Sequence, residues 1–245
     1  MVNIYPDEVT DDLQLNGLSI IQKKSGFKFG IDAVLLSDFA KDSPSKATLD
    51  LCTGTGIIPL LLSAKTNTSK ICGLEIQPQI CEMAKRSVVL NNLCDRIEIR
   101  EGDLKEAVSI YGKASFDKIT CNPPYMKCGA GLTNDVNTKV ISRHEVCCTL
   151  EDVIRVSSLL LEPMGKFFMV HRPSRLSEIF STMIKYRLEP KIIRFVSPSI
   201  NKAPNLVLIE GIRDAKSDLK ILPELFVYDS NGSYTEEINK IYNRS

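Results

Sequence analysis

A strand that runs straight into a glycine turn and then a helix leaves few folds open, and residues 48–64 have that form. Thr48-Leu49-Asp50-Leu51-Cys52 has the composition of a buried parallel strand. Thr53-Gly54-Thr55-Gly56 follows at once, and Ile57 to Ala64 reads as a helix. Pro59 falls in its first turn, where a missing N–H is tolerated. Such a unit lets a ligand approach the backbone at the glycines, and the helix N-terminus favours electronegative groups. The turn is not G-x-G-x-x-G, because Ile57, Ile58 and Pro59 follow Gly56, and it is not a P-loop, because no Gly-Lys-Ser/Thr occurs. Alone, a short G-x-G is a weak signal.

The spacing to the next acid strengthens it. Lys70-Ile71-Cys72-Gly73-Leu74-Glu75 reads as a second strand, ending in a carboxylate about twenty residues beyond the turn, where an acid can accept both hydroxyls of a ribose. Helical spacing resumes at Ile80, Met83, Ala84, Val88 and Leu90. Arg96 to Arg100 alternates as a third strand and runs into Glu101-Gly102-Asp103-Leu104. Phe116 to Ile119 is the fourth. Asp50, Gly54, Gly56, Glu75, Asp103 and Asn122 are then all predicted at the C-terminal edge of one parallel sheet. A single carboxylate or glycine is usually structural; six on one edge of a βαβαβαβ pattern point to a ligand site.

The fourth strand leads into Thr120-Cys121-Asn122-Pro123-Pro124-Tyr125. Two prolines end any ladder or helix, and Pro124 pushes Pro123 into an extended conformation. A rigid turn there can present the Asn122 amide oxygen and the Pro123 carbonyl as fixed acceptors, with the Tyr125 ring beside them. Two aimed acceptors and a stacking surface suit the –NH2 of a planar group. A plain strand-ending turn is an equal reading of these residues alone.

Residues 1–30 read as a β-rich lead-in. Leu18 to Gln22 has strand composition, Ser25-Gly26 is a turn signal, and Phe27-Lys28-Phe29 is expected to return as the second strand. Asp32 is expected to N-cap a short apolar helix. Further on, Lys166 to Val170, Ile192 to Val196 and Leu206 to Ile212 read as strands, with Lys202-Ala203-Pro204-Asn205 as the loop before the last. Leu219 to Val227 reads as extended, Ser230 to Ser233 as a turn and Thr235 to Tyr242 as a short helix.

The chain has 245 residues and a net charge of +1, so no global field draws it onto nucleic acid. The acidic N-terminal part hides a local excess: residues 163–216 carry ten Lys and Arg against four acids. That segment, extended by Lys23, Lys24 and Lys28, is a candidate RNA surface; ordinary solvated charge is the plainer reading. The eight cysteines include no C-x-x-C pair, and His144 and His171 form no zinc pattern with them. They read as reduced thiols of a cytoplasmic protein, with no metal. No run is long and apolar enough for a bilayer, and the acidic N-terminus is unlike a signal peptide.

Taken together these residues resemble class I S-adenosylmethionine-dependent methyltransferases with an Asn-Pro-Pro-Tyr motif. Residues 27–36, 49–58, 73–77, 122–125 and 143–145 resemble the bacterial tRNA1(Val) adenine-37 N6-methyltransferase family. Residues 148–152, 169–173 and 206–210 resemble its Gram-positive branch. The resemblance implies a Rossmann-like α/β fold with a seven-stranded, mostly parallel sheet and helices on both faces. It covers residues 31–216 as the methyltransferase domain, with residues 1–30 a small β-rich extension and 217–245 a C-terminal tail.

Carried over, it implies that Asp50, Gly54 and Gly56 surround the methionine part of S-adenosylmethionine. Glu75 would bind its ribose, Asp103 and Leu104 its adenine, and Phe29, Gly30 and Asp32 would close over the methionine end, with Ile76 and Asn122 also cofactor-binding. Asn122, Pro123 and Tyr125 would hold the target base. Arg143 and His144, after a Gly/Asn-rich loop, and Arg172 and Lys202 are candidate RNA contacts; a residue placed like His144 is more often a hydrogen-bonded structural histidine, and His171 reads as structural. Thr55 departs from the pattern, since many class I enzymes carry a third glycine in this turn. The expectation is N6-methylation of a tRNA adenine by a monomeric enzyme. Methylation of rRNA guanine N2 or protein glutamine N5, or a non-catalytic RNA-binding module, are the alternatives.

Overall fold

The computed structural model describes residues 2–25, 28–124 and 148–244. Apolar residues at alternate strand positions decide its layering, because successive side chains leave a strand on opposite faces. In β7 (Leu161–His171), Phe167 and Met169 enter one core while Phe168 and Val170 enter the other. In β9 (Leu206–Arg213), Val207 and Ile209 divide from Leu206 and Leu208 in the same way. A sheet apolar on both faces must be covered on both.

Helices α1 (Ile31–Phe39), α2 (Ile57–Lys65) and α3 (Pro78–Leu90) cover one face. Helices α4 (Ala107–Tyr111), α5 (Leu150–Leu160) and α6 (Leu176–Lys185) cover the other. The strands between them are β3 (Ala47–Leu51), β4 (Lys70–Glu75), β5 (Ile97–Glu101), β6 (Phe116–Cys121) and β8 (Leu188–Ser197). In space the order is β5-β4-β3-β6-β7-β9-β8. The first five are parallel, and β9 is antiparallel to both β7 and β8. This is the expected seven-stranded, mostly parallel α/β sheet. Two short strands extend it, β10 (Lys220–Ile221) and β11 (Leu225–Phe226), both parallel to β8. The chain ends in helix α7 (Glu236–Ile241), which packs Ile238 and Ile241 into the α1–α3 core.

The N-terminal hairpin differs from its expected form. Its partner strands are β1 (Glu8–Asp12) and β2 (Ser19–Lys23), antiparallel from Glu8↔Lys23 to Asp12↔Ser19. Lys28 and Phe29 lie outside any strand, and the Phe29 N–H donates to Gln22 Oε1 at 3.1 Å. The acidic Glu-Val-Thr-Asp-Asp run has little strand composition; tertiary contacts place it. Glu8 is buried, and Arg86 of α3 reaches it with both terminal nitrogens, at 2.7 and 2.8 Å. The guanidinium holds the Glu8 carboxyl down at about 2.

Asp32 is not the N-cap of α1. Gly30, with extended backbone, takes that position, and Asp32 sits in the first turn with Oδ1 accepting the Ala33 N–H at 3.0 Å. A carboxylate there still complements the helix dipole. A second unanticipated feature anchors the other end of α1. Lys118 of β6 is fully buried, and its ammonium donates to the Ala40 and Ser43 carbonyls beyond the helix. Burial lowers its pKa to about 8, so these carbonyls hold a charge the core disfavours.

Candidate active site

Strands β3, β4, β5 and β6 are adjacent and parallel, so their C-terminal ends form one edge. The glycine turn leaves β3 with a reversal of backbone hand. Cys52 has φ +57°, Gly54 +56° and Gly56 +83°. Thr55 is not among the left-handed residues, so its Cβ is accommodated; the two positions that need glycine carry it. A Cβ on Gly56 would stand 3.3 Å from the Ala84 Cβ, whereas one on Gly54 would meet nothing within 4 Å. The space over Gly54 is therefore open. Cys52, a non-glycine in this region, is a strained residue of the kind that clusters at ligand clamps.

Glu75 locks the turn to the end of β4. Its Oε2 accepts the Gly54 N–H at 2.9 Å, and its Oε1 accepts the Gln77 N–H and Nε2 at 3.0 and 3.2 Å. The Thr53 N–H donates to the Leu74 carbonyl, and the Gly102 N–H to the Glu75 carbonyl, both at 3.0 Å. Three strand ends are thus tied by named bonds. Ile76 follows on the rim, half-buried. At the end of β5 the Asp103 side chain accepts the Lys105 N–H at 2.8 Å and caps a short 3-10 turn that buries Leu104.

Asp50 lies under this rim, fully buried. Thr120 Oγ1 donates to its Oδ1 at 2.7 Å, while Oδ2 has no hydrogen-bond partner among the described residues. Burial raises the carboxyl to about 7, opposed by the Thr53 and Thr120 hydroxyls beside it and reinforced by the Glu75 charge. A buried carboxylate oxygen with no hydrogen bond among the described residues, next to a glycine turn with open space, is what a polar ligand would complete. The Asp50, Gly54, Gly56 and Glu75 cluster therefore fits a cofactor that brings a cation or donors to the turn and hydroxyls to the carboxylate.

Asn122 and Pro123 follow β6, whose Cys121 pairs with Leu51 of β3. Asn122 is half-buried, Pro123 buried and Pro124 exposed. Tyr125, Arg143 and His144 lie outside the described residues. Phe29 and Gly30 lie just before α1, and Asp32 in its first turn. Arg172 directly follows β7 on the same edge as Asn122, and its guanidinium donates to the Asn205 carbonyl at 3.1 Å, bracing the loop that carries the exposed Lys202. His171 is buried, accepts the Arg172 N–H at 2.8 Å, and has its pKa lowered to about 4 by burial, so it is neutral at pH 7.

Two other features bear on the sequence reading. Residues 148–152 contain a capping box. Thr149 Oγ1 accepts the Asp152 N–H, and Asp152 accepts the Thr149 N–H, each at 3.1 Å. That motif starts a helix. Of the ten cations in residues 163–216, Lys166, Arg175, Lys185, Arg187, Arg194 and Arg213 are ion-paired to acids of this chain. The excess charge is thus less available than the residue count suggests. The Thr120–Asp50 bond was missed by sequence reasoning; both polar residues stand inside apolar strand runs, and that is the signal that could have found it.

A parallel sheet with this strand order, a glycine turn after its first strand and an acid ending the second define the Rossmann-like methyltransferase fold. The family model described as the methyltransferase small domain matches residues 30–183, and the chain belongs to that family. A curated relative from Porphyromonas gingivalis, a tRNA1(Val) (adenine(37)-N6)-methyltransferase, is 30% identical, with 93% of this chain and 92% of the relative covered. By that identity the chain belongs to the tRNA1(Val) (adenine(37)-N6)-methyltransferase family. A relative of the same name from Shewanella loihica is 25% identical, covering 86% of this chain and 88% of its own. Among solved structures, a predicted O-methyltransferase from Agrobacterium tumefaciens superposes with a TM-score of 0.70 at 22% identity, covering 87% of this chain and 97% of that one. The T. thermophilus 16S rRNA N2 G1207 methyltransferase, solved with AdoMet and guanosine, gives 0.58 at 18% identity, over 84% of this chain and 50% of that one. Both support the fold.

Proposed function

We infer that the chain transfers a methyl group from S-adenosylmethionine to N6 of an adenine in tRNA, adenine 37 in the anticodon loop of a tRNA1(Val)-type substrate. The observation that carries this reading is the Asn122-Pro123-Pro124 turn on the strand next to β3, one place along the edge from the Asp50, Gly54 and Glu75 cluster. The methyl acceptor and the cofactor would meet where those two groups adjoin.

S-adenosylmethionine supplies an electrophilic methyl carbon on a sulfonium. Asp50, Gly54 and Gly56 would hold its methionine part, Glu75 and Ile76 its ribose, and Asp103 and Leu104 its adenine. Phe29, Gly30 and Asp32 would cover the methionine end. Asn122 Oδ1 and the Pro123 carbonyl would accept the two N–H bonds of the target amine, whose lone pair is otherwise delocalised into the ring. Holding both hydrogens lets the nitrogen pyramidalise and aims its lone pair. That is positioning together with stabilisation of developing positive charge. A strong base is unnecessary before attack, because the proton becomes acidic only as the new bond forms. Tyr125 would stack on the base, and Arg143, His144, Arg172 and Lys202 would meet the RNA. A stacked adenine cannot enter such a site, so the target must be in a loop or flipped out.

The reading assigns residues 31–216 to the catalytic domain, makes the protein a cytoplasmic monomer and gives it tRNA as partner. No helix among the described residues is long and apolar enough to cross a membrane. The test is transfer of label from radiolabelled S-adenosylmethionine to total tRNA lacking this modification, followed by nucleoside analysis. Label in N6-methyladenosine is expected. Label appearing only when protein or ribosomal RNA is supplied would overturn the substrate.

A further inference from the structure

The C-terminal tail builds a stack of tyrosines that the active-site reading does not use. The rings of Tyr228 and Tyr234 lie 5.3 Å apart and 17° from parallel; those of Tyr234 and Tyr242 lie 5.7 Å apart and 12° from parallel. The described core packs its rings the other way. Phe39 and Phe168 meet at 85°, and Tyr111 and Phe116 at 76°. Edge-to-face pairs close on themselves, whereas a parallel stack can be continued by one more flat ring. The Arg244 guanidinium lies beside the inner rings, 4.9 Å from the Tyr242 centroid and 5.7 Å from that of Tyr234.

The stack is held rigidly. Tyr228 and Tyr234 face each other across a hairpin whose turn is fixed by Asp229 Oδ1, which accepts the Asn231 and Ser233 N–H groups at 2.8 and 3.0 Å. Thr235 ties the return to β11 through the Phe226 carbonyl, at 2.8 Å, and caps α7. Tyr234 and Tyr242 pack against the α1–α3 core, while Tyr228 at the outer end is 41% exposed. The inner rings are thus buttressed and the outer one is presented.

Its position is on the catalytic edge. The Tyr228 N–H donates to the Pro198 carbonyl at 2.8 Å, and Pro198 directly follows β8. Strand β8 is antiparallel to β9, which is antiparallel to β7, so β8 ends on the same edge as β6 and β7. The loop leaving β8 carries Ile200, 75% exposed, and Lys202, which makes no ion pair among the described residues. A flat ring, an apolar side chain and a cation therefore share one rim with the Asn122 turn.

We propose that the exposed end of the Tyr228–Tyr234–Tyr242 stack is a platform for an unpaired base of the RNA loop that carries the target, with Lys202 taking an adjoining phosphate. The proposal rests on the RNA-methylation reading and deepens it. Ring stacking supplies sequence-tolerant grip on single-stranded RNA, and the phosphate contact adds salt dependence. The pre-stacked tyrosines have little freedom left to lose when a base arrives.

The chain contains no tryptophan, so Tyr228→Trp places a single indole at the platform. Unmodified tRNA should quench its emission saturably. Tyr228→Ala should raise the KM for tRNA roughly tenfold, as expected for loss of one base–aromatic stack. Tyr228→Phe should stay within about twofold of wild type, since its ring is kept. Lys202→Gln should lower the salt slope of binding by about one. S-adenosylmethionine affinity should be unchanged in all four, and melting temperature in all but Tyr228→Ala, which gives up the ring contact with Tyr234. An unquenched indole on bound tRNA, followed by anisotropy of labelled tRNA, would overturn the platform, as would an unmoved KM in Tyr228→Ala. If tRNA accepts no methyl group yet a single-stranded RNA quenches the indole, the platform stands and the tRNA assignment falls. If tRNA is methylated and the indole is silent, the reverse holds.

Discussion

Thr120 and Asp50 are cross-strand partners on β6 and β3, and a 2.7 Å hydrogen bond joins their fully buried side chains. Thr120 stands two residues before Asn122, and Asp50 four residues before Gly54. The bond therefore ties the strand carrying the proposed base grip to the strand carrying the proposed cofactor turn.

Thr120→Val keeps the shape of the side chain and removes the donor. The buried Asp50 Oδ1 then loses the hydroxyl bonded to it, which costs about 1–3 kcal/mol. Urea unfolding should show that loss, and Thr120→Ser should recover most of it. Equal unfolding midpoints for Val and Ser would mean that the hydroxyl contributes nothing.

Asp50 also sets a pH dependence. Its folded-state pKa is raised from 3.8 to about 7. Between those values the folded state keeps a proton that the unfolded chain has released. The contribution is favourable below the window, declines as pH rises through it, and levels off above about 7. Asp50→Asn removes this slope. Relative to wild type the variant should gain stability from pH 4 to pH 7, by a few kcal/mol at roughly 1.4 kcal/mol per unit. Denaturant unfolding across that range checks it; parallel curves would count against a raised pKa.

The two turn glycines should respond differently to alanine. Both have positive φ, so each substitution strains the backbone by about 1–2 kcal/mol. At Gly56 the new methyl also crowds Ala84, and at Gly54 it enters open space. Gly56→Ala should therefore lower the melting temperature further. Gly54→Ala should chiefly weaken S-adenosylmethionine binding, by about tenfold or more, since roughly 1.4 kcal/mol of lost contact suffices. Calorimetric titration beside thermal melts separates the two, and unchanged affinity in Gly54→Ala would remove that residue from the cofactor site.

Asn122→Ala tests the base grip. Loss of one preorganised polar partner at a reacting centre lowers kcat about 10²–10³-fold. S-adenosylmethionine affinity should stay within about threefold, because the effect belongs to the chemical step. Single-turnover methyl transfer to tRNA, beside equilibrium cofactor binding, checks the split. A turnover near wild type would take Asn122 out of the mechanism.

The strands and turns at the C-terminal edge of the sheet were legible because their signals are local. Apolar runs, the Gly54 and Gly56 turn and the double proline each act within a few residues, and Lys70–Glu75 is a strand with the expected bounds. What the sequence left open depends on which distant segments become neighbours. Glu8 to Asp12 forms a strand because Ser19 to Lys23 pairs with it and Arg86 neutralises Glu8, not because an acidic run favours extension. Asp32 gives up the cap position to Gly30, where the chain is extended just before α1.

The chain's own residues determined a Rossmann-like sheet with carboxylates, glycines and Asn122 along one edge. Tertiary structure alone decided that Thr120 meets Asp50, that Lys118 anchors the end of α1, and that three tyrosines spread over fifteen residues stack into one column. Periodicity and turn chemistry are properties of short stretches, whereas a buried polar pair or a ring stack exists only once packing has chosen its partners.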